Sequence, residues 1–202
     1  MIAPFFTAVQ EAPLMAENAL IRLRRGDLEA LTELIEEHQT RLYRFLLRLV
    51  REPATAEDLF QQTWIKVMEK IRNYDPNRDF TPWLLTVARN LALDHLRRYR
   101  PESLDEPLSS GDSMAELLPT TGEDQGAALL AGERSELLVH ALHQLPVLYR
   151  EVLTLRFEED LKLEEIAVLL SIPLSTVKSR LRRGLESMRK LLAPDLQVGS
   201  HG

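Results

Sequence analysis

The sequence predicts an all-α fold: two small helical domains joined by a flexible acidic linker. Three observations predict it. Apolar residues recur at intervals of three and four through two blocks of chain; no segment alternates with the period of a strand; and a stretch rich in proline, glycine, serine and acid separates the blocks. The 202 residues suffice for two small domains, and a hydrophobic fraction of 45% supports packed cores over disorder.

Residues 1–24 read as an N-terminal tail. Its apolar start (Ile2, Phe5, Phe6, Val9) lacks a basic leader, and Glu11 and Glu17 place charge soon after it, so no signal peptide is expected. No uncharged apolar run approaches the roughly 18 residues of a membrane span. The absence of cysteine excludes a disulfide framework, a Cys-ligated zinc site and a thiol nucleophile. A soluble, cytoplasmic protein is the expectation.

The first domain, residues 25–100, opens with Asp27 as a cap. A helical stripe comes next (Leu28, Leu31, Leu34, Ile35, Leu42, Phe45, Leu46, Leu49, Val50) and ends at Pro53. Thr55-Ala56-Glu57-Asp58 has the form of a capping box and opens a second helix, its stripe Leu59, Phe60, Trp64, Val67, Met68 and Ile71. Asn73 to Asp79 has turn chemistry throughout. Thr81-Pro82 then starts a third helix through Leu84, Leu85, Ala88, Leu91, Ala92 and Leu96, ending in Arg97, Arg98 and Arg100, where cations oppose the negative end of the helix dipole.

The linker, residues 101–132, and the start of the next block concentrate acid. Nine carboxylates stand against Arg134 alone between Pro101 and Glu136, so the segment extends by self-repulsion. The second domain, residues 133–193, carries Leu137, Leu138, Ala141, Leu142 and Leu145, then a helix over Val147 to Phe157, a short one over Leu163 to Leu170, and a break at Ser171-Ile172-Pro173. Ser175 caps a last helix that Pro194 stops; residues 194–202 are a tail. From Ser171 to Leu192 six cations face Glu186 alone, so the formal net charge of −6 averages over one acidic and one basic segment and does not exclude a nucleic-acid partner.

The last two helices have helix-turn-helix layout. Ala167 is small where they approach, and Leu170, Ile172, Val177 and Leu181 fix the crossing. The second helix presents Ser175, Thr176, Lys178, Ser179, Arg180, Arg182 and Arg183, hydroxyls and cations suited to phosphate oxygens and base edges. A solvated basic face is the alternative. Many such turns have Gly where this chain has Ser171, which a left-handed backbone would strain.

Taken together, the runs Asp27 to Val50, Ala56 to Val67, Phe80-Thr81-Pro82-Trp83-Leu84, Ala88 to Asp94, Leu145-Pro146 with Arg150-Glu151-Val152, Glu165-Ile166-Ala167 and Ile172-Pro173 with Thr176 to Leu181 resemble the extracytoplasmic-function sigma factors. The first domain is similar to the family's region two and the second to its region four. The resemblance implies a protein that binds core RNA polymerase, at the largest-subunit clamp and the flap, and directs initiation at promoter DNA. Region two would read the minus-ten element and region four the minus-thirty-five element. It implies a clamp-binding face of Asp58, Leu59, Gln61, Gln62, Ile65 and Lys66, with Gln62 replacing the family's usual Glu. It also implies a base-capturing loop with Tyr74, Asn77, Arg78, Asp79 and Phe80, Trp83 close behind, and a strand-facing helix with Arg89, Asn90, His95, Arg97 and Arg98. Tyr74, Phe80 and Trp83 read alternatively as core residues, and Arg97 and Arg98 equally as dipole-neutralising, solvated cations. A separate anti-sigma factor is the implied regulator, with no need for homo-oligomerisation.

An enzyme is not expected. His140 and His143 lie three apart on one helix, as two metal ligands can, but no accompanying carboxylate completes a site. P-loop, GxGxxG and GxSxG motifs are missing, so neither cofactor nor metal is expected. The rival DNA-binding reading is a stand-alone helix-turn-helix regulator on duplex operators, which leaves the clamp-like helix and the loop after it unexplained.

Overall fold

The computed structural model describes residues 19–75, 78–99 and 137–198, with side chains described to Ala193. Helix α1 covers 19–24, and Ala19, Leu20 and Leu23 are buried in the core, so the first domain begins earlier than the tail boundary drawn from the sequence. Gly26 turns the chain at φ 93°. Asp27 then receives the Glu29 amide (3.0 Å) and the Arg22 guanidinium (2.7 Å), fixing the entry to α2, Glu29–Val50. Leu34, Leu42, Phe45, Leu46 and Leu49 on α2 are fully buried, each contributing roughly 1.5–3 kcal/mol of burial.

Arg51 ends α2 in the left-handed region (φ 64°) and Pro53 begins α3, Pro53–Lys70, at its first turn. Proline here is a start as well as a stop, because its missing amide is one the first turn leaves unpaired anyway. Thr55 therefore lies inside the helix, its hydroxyl donating to Glu52 at 2.7 Å, and does not form the capping box expected of it. Ala56, Leu59, Thr63, Trp64 and Val67 face inward, while Met68, placed on the apolar stripe by spacing, is exposed. A 3₁₀ turn, Ile71–Asn73, leads to the loop, and α4, Phe80–Tyr99, closes a three-helix bundle in which α2, α3 and α4 all touch one another.

The second domain starts with α5 over 137–144. Pro146 precedes α6, Val147–Leu153, which continues as a π-helical turn, Thr154–Glu158. Helix α7, Leu163–Leu170, ends at Ser171, whose φ of 55° and ψ of 42° give the left-handed turn that its residue type resists. Helix α8, Leu174–Val198, comes next. Ser175 sits in its first turn rather than capping it; the Pro173 carbonyl instead accepts the Thr176 and Val177 amides. The helix also runs through Pro194 to Val198, past the end expected there. Gly184 lets α8 lie against α6, since an added Cβ would stand 3.0 Å from Leu153 Cδ1.

Among the described residues there is no strand, and two helical domains are present as expected. They are not held apart. One continuous apolar core takes Leu42, Phe45 and Leu84 from the first domain and Val147, Val152, Leu155 and Ile166 from the second. Helix α2 touches α6 and α4 touches α7. The linker expected at 101–132 lies outside the described residues.

Candidate nucleic-acid and polymerase interface

On α8 a rotation of about 100° per residue places Ser175, Lys178 and Arg182 on one side and Arg180 nearly opposite. Ser175 and Lys178 are exposed, and Thr176 and Arg183 partly so. Ser179 turns its hydroxyl back to the Thr176 carbonyl at 2.9 Å, and Arg182 reaches Glu186 one turn on at 2.8 Å. Val177 is fully buried under this surface and fixes the α7–α8 crossing. Arg180 departs from the sequence expectation: it points inward, to the Glu151 carboxylate at 3.2 Å.

The loop between α3 and α4 is braced by aromatic packing. Tyr74 and Phe80 are buried, at 3% and 7% exposure. Their rings meet edge to face at 5.8 Å, Trp83 lies 4.9 Å from Tyr74 and 5.6 Å from Phe80, and His38 closes on Phe80 at 5.2 Å. The Tyr74 hydroxyl donates to the Arg78 carbonyl, tying the loop's two ends together. Burial, with Asp79 and Asp75 nearby, raises the Tyr74 pKa, so the phenol stays a neutral donor. Tyr74 and Phe80 are thus core residues holding the loop rather than surfaces offered to a base: a ring needs its face open to stack, and these faces are taken. Arg78 and Asp79 are exposed, with Arg78 3.6 Å from Asp75, and Asn77 lies outside the described residues.

Along α4, Asn90, Arg97 and Arg98 are exposed, with Arg97 3.3 Å from Asp94. Exposed Tyr99, to which the sequence pattern assigns no role, stacks on His95 at 4.8 Å. Arg89 instead turns toward the second domain. Its Nε donates to Glu151 Oε2 at 2.9 Å and its Nη2 to Oε1 at 3.3 Å, leaving 12% of the side chain exposed.

On α3 the proposed clamp face divides. Asp58, Gln61, Gln62 and Ile65 are exposed, and Lys66 pairs with Glu69 at 2.6 Å. Leu59 is 3% exposed and belongs to the core, since it lies one residue and about 100° from Asp58. Met68 joins Ile65 on the outside.

The charged groups at the domain boundary form contacts that sequence pattern does not reveal. Arg150 is 1% exposed and donates to the carbonyls of His143 (3.0 Å), Leu145 (3.1 Å) and, across the boundary, Leu49 (2.9 Å). Burial, reinforced by Arg51, pulls its pKa down to about 10. Arg51 donates to His143 O at 2.6 Å, Arg48 pairs with Glu158 at 2.8 Å, and Arg41 Nε lies 2.5 Å from Glu159 Oε2. Glu151 is fully buried. Burial lowers the His143 pKa, and so do Arg150, Arg48, Arg51 and His140 beside it. Among the described residues no helix is long and apolar enough to cross a membrane.

These features define a class: a two-domain helical protein with helix-turn-helix layout in its second half. Comparison with known proteins narrows it. A sigma-70 region 2 family matches residues 34–102 and a sigma-70 region 4 family residues 135–188. The chain is 30% identical to the ECF RNA polymerase sigma factor SigW of Bacillus subtilis, over 89% of this chain and 97% of SigW. It is 36% identical to the RNA polymerase sigma factor CarQ of Myxococcus xanthus, over 85% and 94%. Among solved structures it resembles CnrH in complex with the cytosolic domain of CnrY (TM-score 0.63, 20% identity, 90% of this chain and 99% of CnrH). The sigma factor RpoE in complex with the anti-sigma factor NepR from Bartonella quintana is also similar (TM-score 0.60, 23% identity, 80% and 96%). The chain belongs to the extracytoplasmic-function group of the sigma-70 family of RNA polymerase sigma factors. It binds core RNA polymerase and directs promoter-specific initiation.

Proposed function

We propose a division of labour for this sigma factor among named surfaces. The exposed side of α8, centred on Ser175, Thr176 and Lys178 with Arg182 and Arg183 beyond, enters the major groove of the minus-thirty-five element. Arg78, Asp79, Asn90, Arg97 and Arg98 meet the minus-ten strand, over a loop held in shape by Tyr74, Phe80 and Trp83. The outer side of α3, with Asp58, Gln61, Gln62, Ile65 and Lys66 plus Met68, docks on the polymerase clamp. The observation that carries this reading is the α7–α8 turn, where left-handed Ser171 and buried Val177 set a recognition helix whose polar first turns remain exposed.

Promoter opening proceeds by capture. Trapping unstacked bases offsets the few kcal/mol of unstacking, so this chain needs no active site and no nucleotide hydrolysis of its own. It works in the cytoplasm, where the polymerase is, and a separate anti-sigma factor regulates it by covering the polymerase- or DNA-binding surfaces. Run-off transcription with core polymerase on a randomised promoter library tests the whole assignment. Transcripts from sites carrying two spaced elements are expected. A protein that binds duplex DNA equally well without polymerase, and never starts a transcript, is instead a stand-alone regulator.

A further inference from the structure

The inward side of α8 carries one charge among small and apolar residues. Val177, Arg180, Leu181 and Gly184 fall at the i, i+3, i+4, i+7 spacing of a single helix face. Val177 is fully buried, Leu181 packs on the cluster of Leu142, Tyr149 and Leu153, and Gly184 lets the helix lie against Leu153 of α6. Arg180 stands in the middle of this face with 17% of its side chain exposed, donating to the fully buried Glu151 of α6 at 3.2 Å. Glu151 also receives Arg89, but its pair with Arg180 joins two helices of one domain. Helix α6 is anchored in that domain by Arg150, next in sequence, which donates to the His143 and Leu145 carbonyls.

Apolar contact is non-directional: it sets how far α8 stands from α6 and does little to stop the helix turning about its axis. A charge-assisted hydrogen bond to a buried carboxylate does stop it, because both its length and its angle are restricted. Rotation matters on the opposite side of the helix, where Ser175, Lys178 and Arg182 face outward. A turn of about 20° carries side chains roughly 5–6 Å from the axis through about 2 Å. A recognition constellation tolerates only about 0.5 Å. We propose that Glu151 is a positioning residue for promoter recognition: through Arg180 it fixes the rotation of α8 and so decides which base edges of the minus-thirty-five element the outward side reads. Arg180 works from behind the helix and touches no DNA. The inference rests on the assignment of α8 to that element.

Holoenzymes assembled from core polymerase and full-length R180M, E151Q or the double variant test this on promoters randomised at the minus-thirty-five element, the minus-ten element being fixed. R180M should cut the preference for the best element over its single-base variants about tenfold, the worth of roughly one well-placed base contact. E151Q, which keeps Arg180, should do the same, and the double variant should lose no more than either single one. The salt dependence of promoter binding should match the parent's, because no phosphate contact is removed. R180K, which keeps the charge, should fall between the parent and R180M, and it covers a failure of R180M to fold. A direct role of Arg180 on DNA predicts the reverse, a weaker salt dependence for R180M and full base preference for E151Q; either result overturns the proposal. So do variants that urea titration shows to be folded and that keep the parent's base preference. A parent holoenzyme indifferent to the minus-thirty-five sequence would instead overturn the assignment of α8 itself.

Discussion

The interior of the first domain is apolar and aromatic; that of the second contains charge. Leu42, Phe45, Leu46, Leu49, Leu84 and Leu85 fill the three-helix bundle with His38 and Thr63 as its buried polar side chains, whereas Arg150 and Glu151 lie fully buried in α6. The difference stems from the surroundings of each interior. Within the bundle, and where its apolar core continues into the second domain, apolar contact suffices. Helix α6 faces the C-terminal end of α2 and the flank of α4, where the Leu49 carbonyl and the Arg89 guanidinium need partners. Buried charge here marks a boundary between domains.

Breaking the contrast at its strongest point means removing Arg150. Arg150→Ala removes the side-chain donor from the Leu49 and Leu145 carbonyls, while His143 keeps Arg51, and should lower the free energy of unfolding by about 4 kcal/mol in urea titrations. Arg150→Lys should recover only part, because an ammonium cannot span the three acceptors as a guanidinium does.

The bundle's own exception is His38. Burial, with a smaller push from Arg41, holds its pKa down to about 4 from an ordinary 6.5, so the folded protein carries it neutral. The stability this contributes is complete above pH 6.5 and is lost as pH falls through 6.5 toward 4, about 3 kcal/mol in all. Glu159 acts in the opposite sense, since burial raises its pKa and its contribution is lost as pH rises. His38→Leu should therefore flatten the decline in urea midpoint between pH 7 and pH 4; an equally steep decline would show that other groups carry it.

On α3 the comparison sharpens between positions six apart. Leu59→Ala should cost about 3 kcal/mol of stability. Ile65→Ala should change stability by less than about 0.5 kcal/mol yet weaken core polymerase binding about tenfold, measured by titration with labelled protein. Equal effects on folding at both sites would erase the distinction between core and docking face. The smallest effect expected is at the turn: Ser171→Gly relieves the left-handed strain and should add about 0.5–1 kcal/mol to stability.

Much of the fold is legible in residue spacing. The bounds of α7 and the left-handed turn at Ser171 are set by local pattern, because hydrogen bonding and backbone sterics act within a few residues. Local signals mislead where two of them compete. Pro53 reads as a stop although its position suits a first turn, and Pro194 as an end although α8 continues to Val198. The candidate site is less legible. Tyr74, Phe80 and Leu59 have the residue types of a site and the burial of a core, and spacing alone does not tell which face of a helix meets a neighbour.

By itself the sequence determined that this protein is helical, is divided in two and ends in a basic helix, since periodicity, turn chemistry and charge clustering are properties of neighbouring residues. Only the tertiary structure decided that the two halves share one core and that Arg89 and Arg180 meet at Glu151, 62 and 29 residues away along the chain. The reason is physical: a buried charge is tolerable only when distant parts of the chain bring its partners to it.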